Sequence, residues 1–347
     1  MKKYLIVKFG SLGDILLITP VLQALKDDSE CEIHFLVGKN CKSIIENNCY
    51  IDKLIEVDIA SSKFNQILSL IKLIFVFAFK KYDCIFIYHR DTKILKFFKM
   101  ISPSKIFIWA DRDKKKKNIY EVQFDLKKHR IERAFDLIKA SGLSITNYNK
   151  YNISYNIKNN CINPLSKFEN CNKYIILSVG GGNNIWSQMP NRLWPISHYI
   201  ELITKIRSTF SNYTIVLLGS IDDKSIIDKI EERCSYIINL AGKTTIDQTA
   251  LAIRNSSLFI GNDSMPIFLA CAFDIPIIGL FGPTDSRVII PKRDNVFAIQ
   301  SKAHCSPCYI PHDGLSGMAY TCKSNMCMKE YLSIQDVLNL VIKILGK

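Results

Sequence analysis

No stretch of the 347 residues stays apolar long enough to cross a bilayer. The longest, residues 67–79, is broken at Lys72 and falls short of the ~20 residues that a spanning helix needs. That leaves a soluble or, at most, peripheral protein. The opening residues Met1 to Lys8 have the charge of a signal peptide without its long apolar core, and they run straight into a glycine-bearing loop, as a first buried strand does. Acidic residues are also in short supply: 32 Asp and Glu face 46 Lys and Arg, for a net charge of +14. Such a balance fits an anionic partner (a nucleotide, nucleic acid or an anionic membrane) or plain lysine-rich solubilisation. There is no RNP-type motif, so nucleic acid is not expected as a partner. There is no polar low-complexity tract, and the apolar content of 48% indicates packed cores rather than disorder. The dinucleotide fingerprint G-x-G-x-x-G is missing, which argues against a nicotinamide oxidoreductase. Gly242-Lys243-Thr244 invites a P-loop reading, but Ile237 stands where that loop needs its first glycine.

What is present is alternation. Apolar strands are expected at 4–9, 32–37, 53–57, 84–88 and 105–109, with helical patterns at 15–25, 41–47, 63–79, 93–100 and 130–140. The pattern then dissolves into Asn, Ser and Lys and resumes with strands at 174–179, 214–218, 237–239, 258–260 and 275–280, separated by further helices. Strands alternating with helices predict parallel, doubly wound sheets. The expected organisation is an N-terminal Rossmann-like domain over 1–155, a linker over 156–172, a C-terminal Rossmann-like domain over 173–330, and a closing helix in 331–347 that packs back toward the N-terminal domain.

Ligands of open α/β sheets bind at the carboxyl ends of the strands, so the loops there carry the candidate chemistry. The first is Phe9-Gly10-Ser11-Leu12-Gly13-Asp14. Asp14 is either a helix N-cap or a general base facing the ligand, with Lys8, Ser11 and Gly13 beside it. The second is Gly180-Gly181-Gly182, followed by Arg192. Backbone amides there could close on an anion, with Arg192 adding charge to a diphosphate; the alternative is a flexible turn. Lys243 is a candidate cation or a solvated loop lysine. Asp263-Ser264 open a helix whose free amides favour an anion, and Phe281-Gly282-Pro283-Thr284-Asp285 lies at the same edge. Twelve cysteines without a secretory signal predict a reducing compartment and mostly buried thiols. Four of them, Cys305, Cys308, Cys322 and Cys327, with His304 and His312 nearby, are spaced for a structural Zn or Fe site or for a reduced, locally packed loop.

In order, Gly13-Asp14-Ile15-Leu16 with Thr19-Pro20, Gly180 to Gly182 through Arg192-x-Trp194-Pro195, Leu240 to Thr244, Gly261-Asn262-Asp263-Ser264 and Phe281 to Asp285 resemble glycosyltransferase family 9, the heptosyltransferases of lipopolysaccharide assembly. The segment Cys305 to Cys327 also looks like a C-terminal feature of that family. The resemblance implies a GT-B fold, two Rossmann-like domains facing each other across a cleft. It implies an inverting transfer from a nucleotide sugar, usually ADP-heptose, with no cofactor required for catalysis. Asp14 would be the general base. Arg192 takes a position usually held by lysine and would neutralise the leaving diphosphate. Gly180, Gly181 and Gly182 would support that diphosphate, and Lys243, Asp263 and Ser264 would contact the donor.

The implied partners are a nucleotide-sugar donor and a lipid-linked, lipopolysaccharide-core or other surface-glycan acceptor. The implied location is cytoplasmic, peripheral to the anionic inner face of the plasma membrane. One departure stands out: after Asp263-Ser264 the family continues Gly-Pro-x-His, whereas this chain has Met265-Pro266-Ile267-Phe268. A UDP- or GDP-hexose donor, or a catalytically degraded paralogue that only binds sugar nucleotide, is therefore the alternative.

Overall fold

Tyr4 to Val7 are fully buried in a seven-residue strand, β1 (Lys2–Lys8). An unbroken apolar run of this kind is what a strand covered on both faces requires. The computed structural model describes residues 1–78, 80–102, 104–146, 149–168, 171–181, 189–309 and 322–346. The chain forms two units, Met1–Asn156 and Ile157–Lys347.

In the first unit, β1 is joined by β2 (Cys31–Gly38), β3 (Lys53–Val57), β4 (Cys84–Ile87), β5 (Lys105–Ala110), β6 (Lys114–Lys116) and β7 (Ile119–Gln123) in the order β3-β2-β1-β4-β5-β7-β6. All neighbours run parallel except β6 and β7. Helices α1 (Leu12–Leu16), α2 (Thr19–Asp28), α3 (Lys63–Ala78), α4 (Thr92–Ile101) and α5 (Arg130–Ala140) connect or follow the strands. The helix expected over 15–25 is broken. Pro20 has no amide to donate back to Leu16, and the Thr19 hydroxyl satisfies that carbonyl instead at 2.7 Å. The helix expected over 41–47 is a 3-10 turn, Lys39–Ile44.

The second unit repeats the plan. Its strands β8 (Tyr174–Ser178), β9 (Thr214–Leu218), β10 (Ile237–Asn239), β11 (Leu258–Asn262), β12 (Ile277–Phe281) and β13 (Val296–Gln300) form an all-parallel sheet ordered β10-β9-β8-β11-β12-β13. Its helices are α6 (Ile196–Thr209), α7 (Lys224–Glu231), α8 (Ile246–Arg254), α9 (Met265–Ala270), α10 (Ser286–Ile289), α11 (Met326–Lys329) and α12 (Ile334–Leu345). The closing helix α12 packs on α6: Val337, Leu338 and Val341 join the core that holds Leu202 and Ile206. Residues expected in the linker also take part here, since the Lys158 amide donates to Asp247 at 3.2 Å.

In both sheets the order reverses at one place, between β1 and β4 and between β8 and β11. At such a point the loops diverge and open a crevice for a ligand.

Candidate active site

At the first reversal point the chain leaves β1 through Phe9 to Ser11. Ser11 takes φ 64°, a left-handed conformation that is costly for a residue with a Cβ. It holds the N-cap position of α1 without a side-chain cap bond. Asp14 is therefore the third helical residue rather than the cap, and its carboxylate turns to two cations. Arg130 Nη1 donates to Oδ1 at 2.9 Å, and Lys8 Nζ stands 3.4 Å from Oδ2. The Asp14 side chain keeps 33% of its surface exposed, against 11% for that of Lys8. Burial by itself would raise the Asp14 pKa; attraction to Lys8 and Arg130 outweighs it and holds the carboxyl below its ordinary 3.8. Gly13 is buried in the same turn.

His89, just past β4, accepts a hydrogen bond from the Phe9 amide on Nε2 at 2.9 Å, and its ring lies 5.0 Å from that of Phe9. Burial, reinforced by Lys8, pushes its pKa well below 6.5. The ring is neutral at pH 7, with its proton on Nδ1, and it fixes the loop that presents Asp14.

The second reversal point is built differently. A Cβ on Gly180 would stand 2.4 Å from Asp223 Oδ2, and one on Gly181 would stand 2.2 Å from Leu193 Cδ2. Asp223 is held there by the Ser220 amide and hydroxyl at 2.8 and 2.6 Å. Crowding explains the glycines, and neither has the left-handed backbone of an anion nest. Gly182 lies outside the described residues.

Arg192 ends a short 3-10 turn. Its Nη1 donates to the Asp263 carbonyl at 3.2 Å and stands 3.6 Å from Asp263 Oδ2, and its guanidinium lies over the Tyr309 ring at 5.4 Å. Asp263 is 2% exposed. The neighbouring Asn262 is fully buried, and its Nδ2 donates to the carbonyls of Val179 and Gly180, tying the loops after β8 and β11 together. Ser264 precedes α9, but its hydroxyl bonds back to the Asn262 carbonyl at 3.4 Å instead of capping.

The family model described as glycosyltransferase family 9 (heptosyltransferase) matches residues 101–316. The chain belongs to glycosyltransferase family 9. Its relatives include lipooligosaccharide heptosyltransferase 2 of Haemophilus influenzae, 31% identical over 116 residues. That match spans about a third of each chain, 32% of this one and 33% of the relative. Lipopolysaccharide heptosyltransferase 3 of Escherichia coli is 23% identical over 297 residues, covering 82% of this chain and 83% of its own. Among solved structures, E. coli heptosyltransferase WaaC with ADP-2-deoxy-2-fluoro heptose has a TM-score of 0.68 at 17% identity, covering 98% of this chain and 99% of that one. The fold of this family 9 glycosyltransferase is GT-B, built from two Rossmann-like units.

Within this family 9 chain, Lys8, Ser11, Gly13 and Asp14 share the first crevice, while Gly180, Gly181, Arg192, Asp263 and Ser264 share the second. Lys243 is engaged elsewhere: its ammonium donates to the Asn239 carbonyl at 2.9 Å. Met265 is half-buried at the start of α9, and Phe268 is 4% exposed, a packing residue. The four cysteines line one cavity together with Pro283 and Asn191. Even so, among the described residues no three His, Cys, Asp or Glu side chains are placed to share a metal ion. Burial raises Cys308 and, with the neighbouring thiols, pushes Cys327 up to about 11, whereas hydrogen bonds from Ser324 and the backbone lower Cys322. Among the described residues the expected Zn or Fe site therefore has no ligand set; His312 lies outside them.

Three residues escaped the sequence reading. Arg130 puts a cation at the N-terminus of α5, where the helix dipole disfavours it; that misplacement was the readable signal of an anionic partner. His89 stands at the end of an expected strand beside the reversal point. Gln300 carried no signal. Its Nε2 lies within hydrogen-bond reach of the carbonyls of Gly282 and Thr284, at 3.1 Å each, and so holds the loop after β12.

Proposed function

We propose that this family 9 chain is an inverting, metal-independent transferase that moves heptose from ADP-heptose to a hydroxyl of a lipid-linked acceptor, the lipopolysaccharide core or another surface glycan. The observation that carries the reading is Asp14, a carboxylate at a reversal point, kept ionised by Lys8 and Arg130 and left partly open. In the reaction the Asp14 carboxylate takes the acceptor proton as the hydroxyl oxygen attacks the anomeric carbon. The bond from that carbon to the diphosphate breaks on the opposite side and leaves with its electron pair, which inverts the configuration. The departing diphosphate gains negative charge, and the Arg192 guanidinium neutralises it. A carboxylate below its ordinary pKa is a weak base, suited to a proton that becomes acidic only as the new C–O bond forms.

In this scheme the N-terminal unit takes the acceptor, with Lys8, Ser11 and Gly13 lining its place. The C-terminal unit takes the donor through Gly180, Gly181, Asp263 and Ser264. The relatives' names, and the ADP-heptose analogue bound by WaaC, support the donor assignment. The chain works in the cytoplasm at the inner face of the membrane. No helix among the described residues is long and apolar enough to cross it.

Mass-spectrometric detection of heptose transfer from ADP-heptose tests the proposal. Asp14→Asn is expected to lower turnover by about 10²- to 10⁴-fold and to leave ADP affinity, read by calorimetry, nearly unchanged. Turnover like that of the native chain would remove Asp14 as the base. A UDP- or GDP-hexose donor is the second reading, favoured by Met265 and the buried Phe268. Comparing ADP, UDP and GDP affinities separates the two. Activity that appears only after Met265→Gly with Phe268→His would instead mark a degraded sugar-nucleotide-binding paralogue.

A further inference from the structure

Helix α3 reverses the usual arrangement of a helix on a domain surface. Its inner side is ordinary: Leu73 and Phe77, each 2% exposed, pack into the core of the first sheet. Its outer side is apolar as well. Phe64, Ile67, Leu68, Ile71, Ile74 and Phe75 recur at helical spacing along one stripe, and each is between 37% and 69% exposed. Twelve residues of helix, Phe64 to Phe75, carry that stripe over roughly 16 Å. Scattered surface leucines need no explanation, but a contiguous apolar stripe marks an interaction surface.

The surrounding charge selects the partner. Residues 59–82 and 92–110 contain no Asp or Glu and eight lysines. Helix α4 lies beside α3, where Phe77 meets Phe98 edge to face at 5.6 Å. It brings the exposed Lys93, Lys96 and Lys99, together with Met100 at 74% exposure. An apolar helical face flanked by lysines is the pattern of a helix that lies in the boundary of an anionic bilayer.

We propose that α3 is an interfacial helix, its outer face inserted among the lipids of an anionic membrane and the lysines of α3 and α4 set against the headgroups. A second copy of the chain fits the face less well. In a two-fold dimer the same patch meets itself, which would set lysines against lysines, whereas an anionic bilayer complements both features. The inference deepens the peripheral-membrane part of the function proposed above and rests on it for location, not for chemistry.

Flotation of the full-length chain with phosphatidylcholine vesicles, with and without phosphatidylglycerol, tests this. Binding is expected only with phosphatidylglycerol and is expected to weaken in high salt. Phe64→Ser with Phe75→Ser is expected to lower it by about tenfold or more, and Lys93→Glu with Lys96→Glu to do the same. All four side chains are exposed, so circular dichroism and Tm should not change. No flotation of the native chain with anionic vesicles at low salt, or undiminished flotation of the phenylalanine variant, would overturn the inference. So would a concentration-dependent dimer that the phenylalanine variant dissolves, which would assign the face to a second copy. Transfer to a delipidated acceptor separates this inference from the enzymatic proposal. A chain that transfers sugar but ignores vesicles loses only the membrane helix. One that floats but transfers nothing loses only the chemistry.

Discussion

The two reversal points share a topology and divide the physical work differently. At the first, charges are already paired. Asp14 is bracketed by Lys8 and Arg130, His89 is locked neutral against the Phe9 amide, and backbone strain is held at Ser11. At the second, glycines are crowded by Asp223 and Leu193. Among the described residues there, Ser178 Oγ, Arg192 Nε, Asp263 Oδ2 and Thr284 Oγ1 are buried without a hydrogen bond. A buried polar atom left unpaired costs on the order of 1–3 kcal/mol. The first crevice therefore holds a carboxylate ready, its charge paired by Lys8 and Arg130, while the buried Arg133 beside it keeps Nε and Nη1 without a hydrogen bond. The second leaves several buried polar atoms unpaired around one cation, Arg192.

That contrast breaks most sharply at Arg192. Arg192→Ala leaves the Asp263 carboxylate buried and unpaired, an expected loss of about 3 kcal/mol of stability, read by urea denaturation. ADP affinity should fall with it, and ADP should stabilise the native chain more than the variant. A variant as stable as the native chain would show that Asp263 does not depend on its ion pair. Next in size is Gly180→Ala, whose Cβ would stand 2.4 Å from Asp223 Oδ2 and must displace a carboxylate bound to Ser220. A loss of about 1–3 kcal/mol is expected. Full stability with weakened ADP binding would mean that the glycine serves the ligand and not the packing.

The fold was largely legible because a strand buried on both faces announces itself. The run expected over 174–179 is Tyr174–Ser178 in the structure. The edges were not legible. Lys114–Lys116 is wholly exposed and reads as a charge run, and Val296–Gln300 is an edge strand only partly buried. Asp14 was readable from the glycines beside it. Its partner Arg130 lies 116 residues away, and no local pattern reports a pairing over that distance. The cysteine spacing predicted proximity, and the four thiols do line one cavity; whether they converge on a point depends on side-chain direction, which spacing does not encode.

At the first crevice the smaller effects are informative. Arg130→Ala removes one of the three cations, Lys8, Arg130 and Arg133, that hold Asp14 down, so its pKa should rise. A depressed carboxylate contributes stability above its unfolded pKa and loses it as pH falls through the lower folded value. The native chain should therefore keep the acid limb of kcat/KM below pH 3.8. In the variant the limb should move up, and the pH-dependent part of stability should shrink. Turnover is expected to drop about tenfold as the carboxylate loses its orientation. An unmoved limb would assign it to another group.

Smallest is Ser11→Gly. Serine at φ 64° bears a strain of roughly 1–2 kcal/mol that glycine does not, while glycine makes the unfolded chain looser by about 0.4–1 kcal/mol. The two nearly cancel, leaving a net gain below about 1 kcal/mol and a small rise in Tm. Function should move the other way, because a looser turn positions Asp14 less well. Higher Tm with lower kcat would locate stored strain in the first crevice, whereas a fall in Tm would mean that Ser11 is not strained at all.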